Sequence, residues 1–77
     1  MSAEKAASLG LKPRARIIAS TVAAVRPEFM GLGPIPAIQA LLHQTGMKIE
    51  DIDIVEINEA FAAQIVPCMD ELGIDEE

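Results

Sequence analysis

Apolar residues run along this chain in two rhythms. From Arg14 to Val25, RARIIASTVAAV, small and aliphatic residues fill both alternating sets, Ile17, Ala19, Thr21 and Ala23 against Ile18, Ser20, Val22 and Ala24. That pattern predicts a strand covered by layers on both sides, central in a sheet. From Pro34 to Thr45 the rhythm is helical: Ile35, Ile38, Leu41 and Leu42 share one face, and Gly46 supplies the stop. A period of two returns in DIDIVEI, Asp51 to Ile57, and predicts a second strand. Helical spacing then resumes at Phe61, Ile65, Cys68, Met69 and Leu72, predicting a helix over Glu59 to Leu72 that ends at Gly73. Ahead of all these, Ser2 to Leu9 predicts a short helix, with Ser2 as N-cap, Glu4 in the first turn where the dipole favours an anion, and Gly10 as the stop. Pro13 breaks the chain after it. The stretch RPEFMGLGPIP, Arg26 to Pro36, carries three prolines and two glycines and reads as a loop, while Pro34 and Pro36 suit the first turn of the helix that follows. The predicted order is α-β-α-β-α, of the α/β class.

Composition narrows the setting. A chain of 77 residues is at most one small domain, and a fold of that size buries only somewhat more than roughly 60% of its unfolded surface. With 51% apolar and 23% charged residues, it is too hydrophobic for a disordered chain and too interrupted by charge for a membrane span. Two Phe and no Trp or Tyr leave an aliphatic core, which suits packed α/β layers. A net charge of −6 repels phosphate backbones and anionic lipid, so neither nucleic acid nor a membrane surface is an expected partner. Lys5, Lys12, Arg14, Arg16 and Arg26 lie early and Asp70, Glu71, Asp75, Glu76 and Glu77 late, which reads as two solvated ends. One cysteine, Cys68, excludes an intramolecular disulfide and a cysteine zinc cluster and fits a reducing compartment. No secretory or transit pattern follows Met1, so a cytoplasmic setting is the expectation.

One residue interrupts the apolar pattern at an informative place. Asn58 follows the strand-like run and precedes the helical one. Asn is among the best N-caps and Glu59 just inside the helix favours the dipole, so on local rules alone the capping role is preferred. Ligands of open α/β sheets also bind outside the carboxyl ends of strands. Position by itself leaves both roles open.

Four blocks in order, SAEKAASLGLKPRARI from Ser2, MGLGPIPAI from Met30, IEDIDIVEI from Ile49 and NEAFAAQ from Asn58, together resemble the start of the C-terminal half of a thiolase, the acyl-CoA C-acyltransferase family. They cover nearly the whole chain, which on this resemblance is a partial C-terminal domain, residues 1–77. The resemblance implies a layered α/β fold and an activity that makes or cleaves the carbon–carbon bond of a 3-ketoacyl-CoA. The family uses a nucleophilic Cys, a second Cys that moves protons, a His in a Gly-His-Pro context and an Asn. Carried over residue by residue, Asn58 matches the Asn that holds a water which, with that His, donates to the thioester oxygen as it becomes enolate-like. Met30 matches a residue lining the acyl and pantetheine pocket, and Ala60 and Phe61 match residues that wall it; without the family, Met30 and Phe61 read as core. The implied substrate is a coenzyme A thioester with no further cofactor, and the implied partners are acyl-CoA and the remainder of a thiolase subunit whose parent is a homo-oligomer.

Other chemistry is missing from the pattern. Cys68, in IVPCMD, has neither catalytic cysteine context and falls on an apolar helical face, so it reads as a buried spectator; His43, in LLHQTG, precedes no proline. The chain alone is therefore expected to be inactive, and Met1 to stand where the family commonly carries an internal methionine. Pro67 departs from the family's usual helix-interior residue, at a cost of roughly 3 kcal/mol or a kink. An acyl carrier reading fails because Ser2, Ser8 and Ser20 lack an Asp-Ser-Leu context. A non-catalytic interaction module or gene remnant is the alternative, and uncovered faces of the Arg14 to Val25 strand predict poor solubility or self-association.

Overall fold

The computed structural model describes residues 1–75. Three α-helices appear in it: α1 (Ala3–Ser8), α2 (Pro34–Thr45) and α3 (Ala62–Leu72). Two 3-10 turns, Pro27–Leu32 and Ile49–Asp51, complete the regular structure among the described residues.

All three helices end in the same way. Gly10, Gly46 and Gly73 adopt left-handed backbone with φ of 66°, 70° and 68°, a conformation that glycine takes without steric cost. The amide after each glycine reaches back to close the last turn: Leu11 N–H to Ala6 O at 2.9 Å, Met47 N–H to Leu42 O at 3.2 Å and Ile74 N–H to Met69 O at 3.0 Å. This is the Schellman arrangement, and its apolar residue follows glycine each time. At the other end of α1, Ser2 Oγ accepts from Lys5 N–H at 3.2 Å, as the sequence predicts. Glu4's carboxylate is held below its usual pKa of 4.5 by its own backbone amide and then by the Ser2 hydroxyl.

The predicted α-β-α-β-α order needs correcting. Among the described residues there is no strand, and no backbone–backbone hydrogen bond involves residues 12–25 or 53–60. A helix satisfies its amides within itself, whereas a strand needs a neighbour to receive them. The strand-like rhythm nonetheless persists in exposure: Ala19, Thr21, Ala23 and Val25 are half-buried while Ser20, Val22 and Ala24 are exposed. From Ala19 to Val25 the segment has one partly covered face, and no backbone hydrogen bond crosses its edges among the described residues. Arg26 to Pro36 also departs from a plain loop, because Pro27 presets φ for the 3-10 turn that carries Met30, with a kink at Phe29.

Packing is correspondingly thin. The turn Pro27–Leu32, α2 and α3 pack against one another, and the buried apolar residues are Ala6, Cys68 and Leu72. The radius of gyration is 15.6 Å, against roughly 11.5 Å for a compact chain of this length. The chain exposes 6725 Å², roughly 2,200 Å² beyond the ~4,500 Å² of a folded monomer of its mass. That surplus exceeds the roughly 800 Å² that each partner contributes to a standard protein interface. No helix among the described residues is long and apolar enough to cross a membrane.

Candidate functional site

Asn58 does not cap a helix. α3 starts at Ala62, its N-cap is Phe61 in extended conformation (φ −149°, ψ 143°), and no side chain caps it. Phe61 O accepts from Gln64 N–H at 2.9 Å and Ile65 N–H at 3.2 Å, which opens the helix three residues later than predicted. The short local cap signal loses to the tertiary seat of the helix, whose first turns are pressed against the 3-10 turn at Gly31. Asn58 is instead left exposed, on a stretch with no backbone hydrogen bonds, and its side chain has no hydrogen-bond partner among the described residues. An amide in that state is free to donate to whatever approaches it.

Two adjoining hollows flank this residue. A shallow one of about 440 Å³ is formed by Val55 to Glu59, including Asn58 itself. A second, of about 510 Å³, lies between that stretch and α3, where Ile57, Ile65, Val66 and Met69 supply apolar wall. Glu59 lines both. Neither is lined by Lys, Arg or His; beside the apolar wall and the Asn58 amide stand the carboxylates of Glu56 and Glu59 in the first and Glu59 and Asp75 in the second, so neither is a clamp for phosphate.

The remaining predicted residues are exposed as well. Met30 is 78% and Phe61 72% exposed, and Ala60 is exposed between Asn58 and Phe61. The reading of Met30 and Phe61 as core is thereby overturned. Asn58, Ala60 and Phe61 lie on one continuous stretch. Met30 is brought toward them indirectly, because its turn packs on α3, with Gly31 against Gln64.

Cys68 and His43 stand where the sequence puts them. Cys68 is fully buried, at 0% exposure, and its thiol donates to Gly31 O at 3.6 Å. His43 is exposed in the last turn of α2. α3 runs on through Pro67, and Cys68 and Leu72, four residues apart, face inward together. No group of three or more His, Cys, Asp or Glu suited to a metal ion occurs among the described residues. Sequence reasoning missed Gly31 and Gln64, which meet across 33 positions of chain with no local signal to pair them.

Known proteins bear out the family resemblance. The family model for the thiolase C-terminal domain matches residues 11–77. A 3-ketoacyl-CoA thiolase of Vibrio parahaemolyticus is 55% identical over 74 residues, 96% of this chain and 19% of that protein. One of Salmonella typhimurium is 51% identical over 77 residues, all of this chain and 20% of that protein. The crystal structure of the Bacillus anthracis acetyl-CoA acetyltransferase superposes with a TM-score of 0.91 at 51% identity, covering 97% of this chain and 19% of that one. The chain thus spans about a fifth of the length of the relatives it matches.

Proposed function

This chain belongs to the thiolase family, within its C-terminal domain, and on that premise we propose that it is a segment of an acyl-CoA C-acyltransferase that makes or cleaves 3-ketoacyl-CoA. The observation that carries this reading is the exposed, unpartnered Asn58 amide beside two hollows without cationic lining. In either direction of the reaction the thioester carbonyl oxygen gains negative charge as the adjacent carbon becomes enolate-like. A neutral donor held where that charge develops stabilises the transition state without titrating, an effect of roughly 10²- to 10³-fold in rate. Asn58 fills that role by holding a water against the oxygen. By the family resemblance, Met30, Ala60 and Phe61, which line neither of these hollows, wall the acyl and pantetheine part of the substrate in the complete subunit, the adaptable Met30 thioether suiting a flexible thioester.

The cysteine that carries the acyl group, the cysteine that moves protons and the histidine belong to polypeptide outside these 77 residues. Coenzyme A thioester is the substrate, no further cofactor takes part, and the complete subunit assembles into a homo-oligomer. The test uses the Vibrio parahaemolyticus relative with its matching stretch replaced by this chain. Asn58→Ala in that hybrid lowers kcat for acetoacetyl-CoA thiolysis by about 10²- to 10³-fold, and the isolated chain shows no turnover. Turnover by the isolated chain that Asn58→Ala abolishes, or an unaffected hybrid, contradicts the proposal.

A further inference from the structure

The 3-10 turn Pro27–Leu32 touches α3 at a junction built from three small features. A Cβ on Gly31 would stand 3.6 Å from both Cβ and Cγ of Gln64, so a methyl reaches ordinary contact there and a branched side chain adds atoms to an already filled contact. Gln64 and Cys68 are four residues apart and share one face of α3. Cys68, fully buried, donates its thiol to Gly31 O at 3.6 Å. A thiol is small enough to be enclosed and still carries a weak donor, a combination that Ala and Val lack. The residue before Gly31 is Met30, exposed on the outer side of the turn, and the residues just ahead of α3 are Ala60 and Phe61.

The geometry points to Gly31, Gln64 and Cys68 as positioning residues that seat the Met30 turn on α3 and so fix the distance between Met30 and Phe61, which sets the width of the acyl site. This rests on the reading above in which those two side chains wall that site. Cys68 is then no spectator: it touches no substrate, yet it holds the backbone carbonyl next to a wall residue.

The single thiol gives a direct readout. In the 77-residue chain, an aromatic disulfide reagent is expected to label Cys68 at least about tenfold more slowly than in denaturant, because labelling waits on opening of the turn. Gly31→Ala keeps that protection and Gly31→Val removes it. Wild-type labelling as fast as in denaturant, or Gly31→Val labelling at the wild-type rate, overturns the junction. Should Gly31→Val also lose helical circular dichroism, the methionine methyl spectrum decides: Cys68→Ser leaves the Met30 methyl resonance in place and Cys68→Val moves it, and an unmoved resonance in Cys68→Val overturns the donor role. In the Vibrio hybrid, Cys68→Val raises KM for long-chain 3-ketoacyl-CoA about tenfold with kcat for acetoacetyl-CoA unchanged, a smaller effect than loss of a transition-state donor. An unchanged KM beside a damaging Asn58→Ala sinks the positioning role alone; a harmless Asn58→Ala sinks the acyl-site reading beneath it.

Discussion

The unit formed by the 3-10 turn Pro27–Leu32, α2 and α3 and the segment from Lys12 to Val25 are both rich in aliphatic side chains, yet only the first closes on itself. Helices complete their backbone hydrogen bonds within a single stretch and finish them with Gly46 and Gly73. The segment Lys12 to Val25 is exposed throughout its first half, keeps a strand's alternation of exposure only from Ala19 to Val25, and makes no backbone hydrogen bond among the described residues, with Val22 95% exposed. The chain as a whole still follows the matching fifth of the Bacillus anthracis acetyl-CoA acetyltransferase, with a TM-score of 0.91. The lesson is that local rules suffice to build a helix, whereas a strand's geometry is specified here without the neighbours that would stabilise it.

Substitutions sharpen that contrast in the isolated chain. Leu72→Ala, in the buried face of α3, is expected to cost about 2–5 kcal/mol, most of the stability that so small a core supplies, and to remove helical circular dichroism. Val22→Ala, equally aliphatic, is expected to change stability by less than about 0.5 kcal/mol; equal effects at the two positions would erase the difference between the regions. Gly46→Ala, at φ 70°, costs about 1–2 kcal/mol because a Cβ is strained in left-handed backbone, measured as a lowered urea midpoint. Ser2→Ala removes the side-chain cap of α1 for about 1 kcal/mol, seen as loss of amide protection confined to residues 3–8. The smallest effect is that of acid. Glu4 has its folded pKa depressed below the unfolded value of 4.5, so its contribution is complete above that value and is lost as pH falls through the folded one. Fraying of α1 should follow that titration in wild type and be weaker in Ser2→Ala, which lacks the hydroxyl partner.

Much of this architecture was legible in the sequence because it is local. Gly10, Gly46 and Gly73 announced their helix ends, Pro34 to Thr45 matches α2 at both bounds, and helical spacing placed Cys68 and Leu72 inward. The start of α3 was not legible: cap preferences favour Asn58, but the helix begins at Ala62, where its first turns meet a segment more than thirty positions away. The strands were legible as a rhythm and absent as ladders for want of a second edge. At the site, the type and spacing of Asn58, Ala60 and Phe61 were visible, whereas the junction holding Met30's turn was not, because Gly31, Gln64 and Cys68 are joined only by packing.

Residue-resolved hydrogen exchange of the isolated chain tests the central contrast most directly. The account predicts protected amides through α2 and α3 and exchange near the unprotected rate through residues 12–25 and 53–60. Protection of those two segments at the level of α2, in a monomer, would show a self-sufficient miniature sheet and contradict the account.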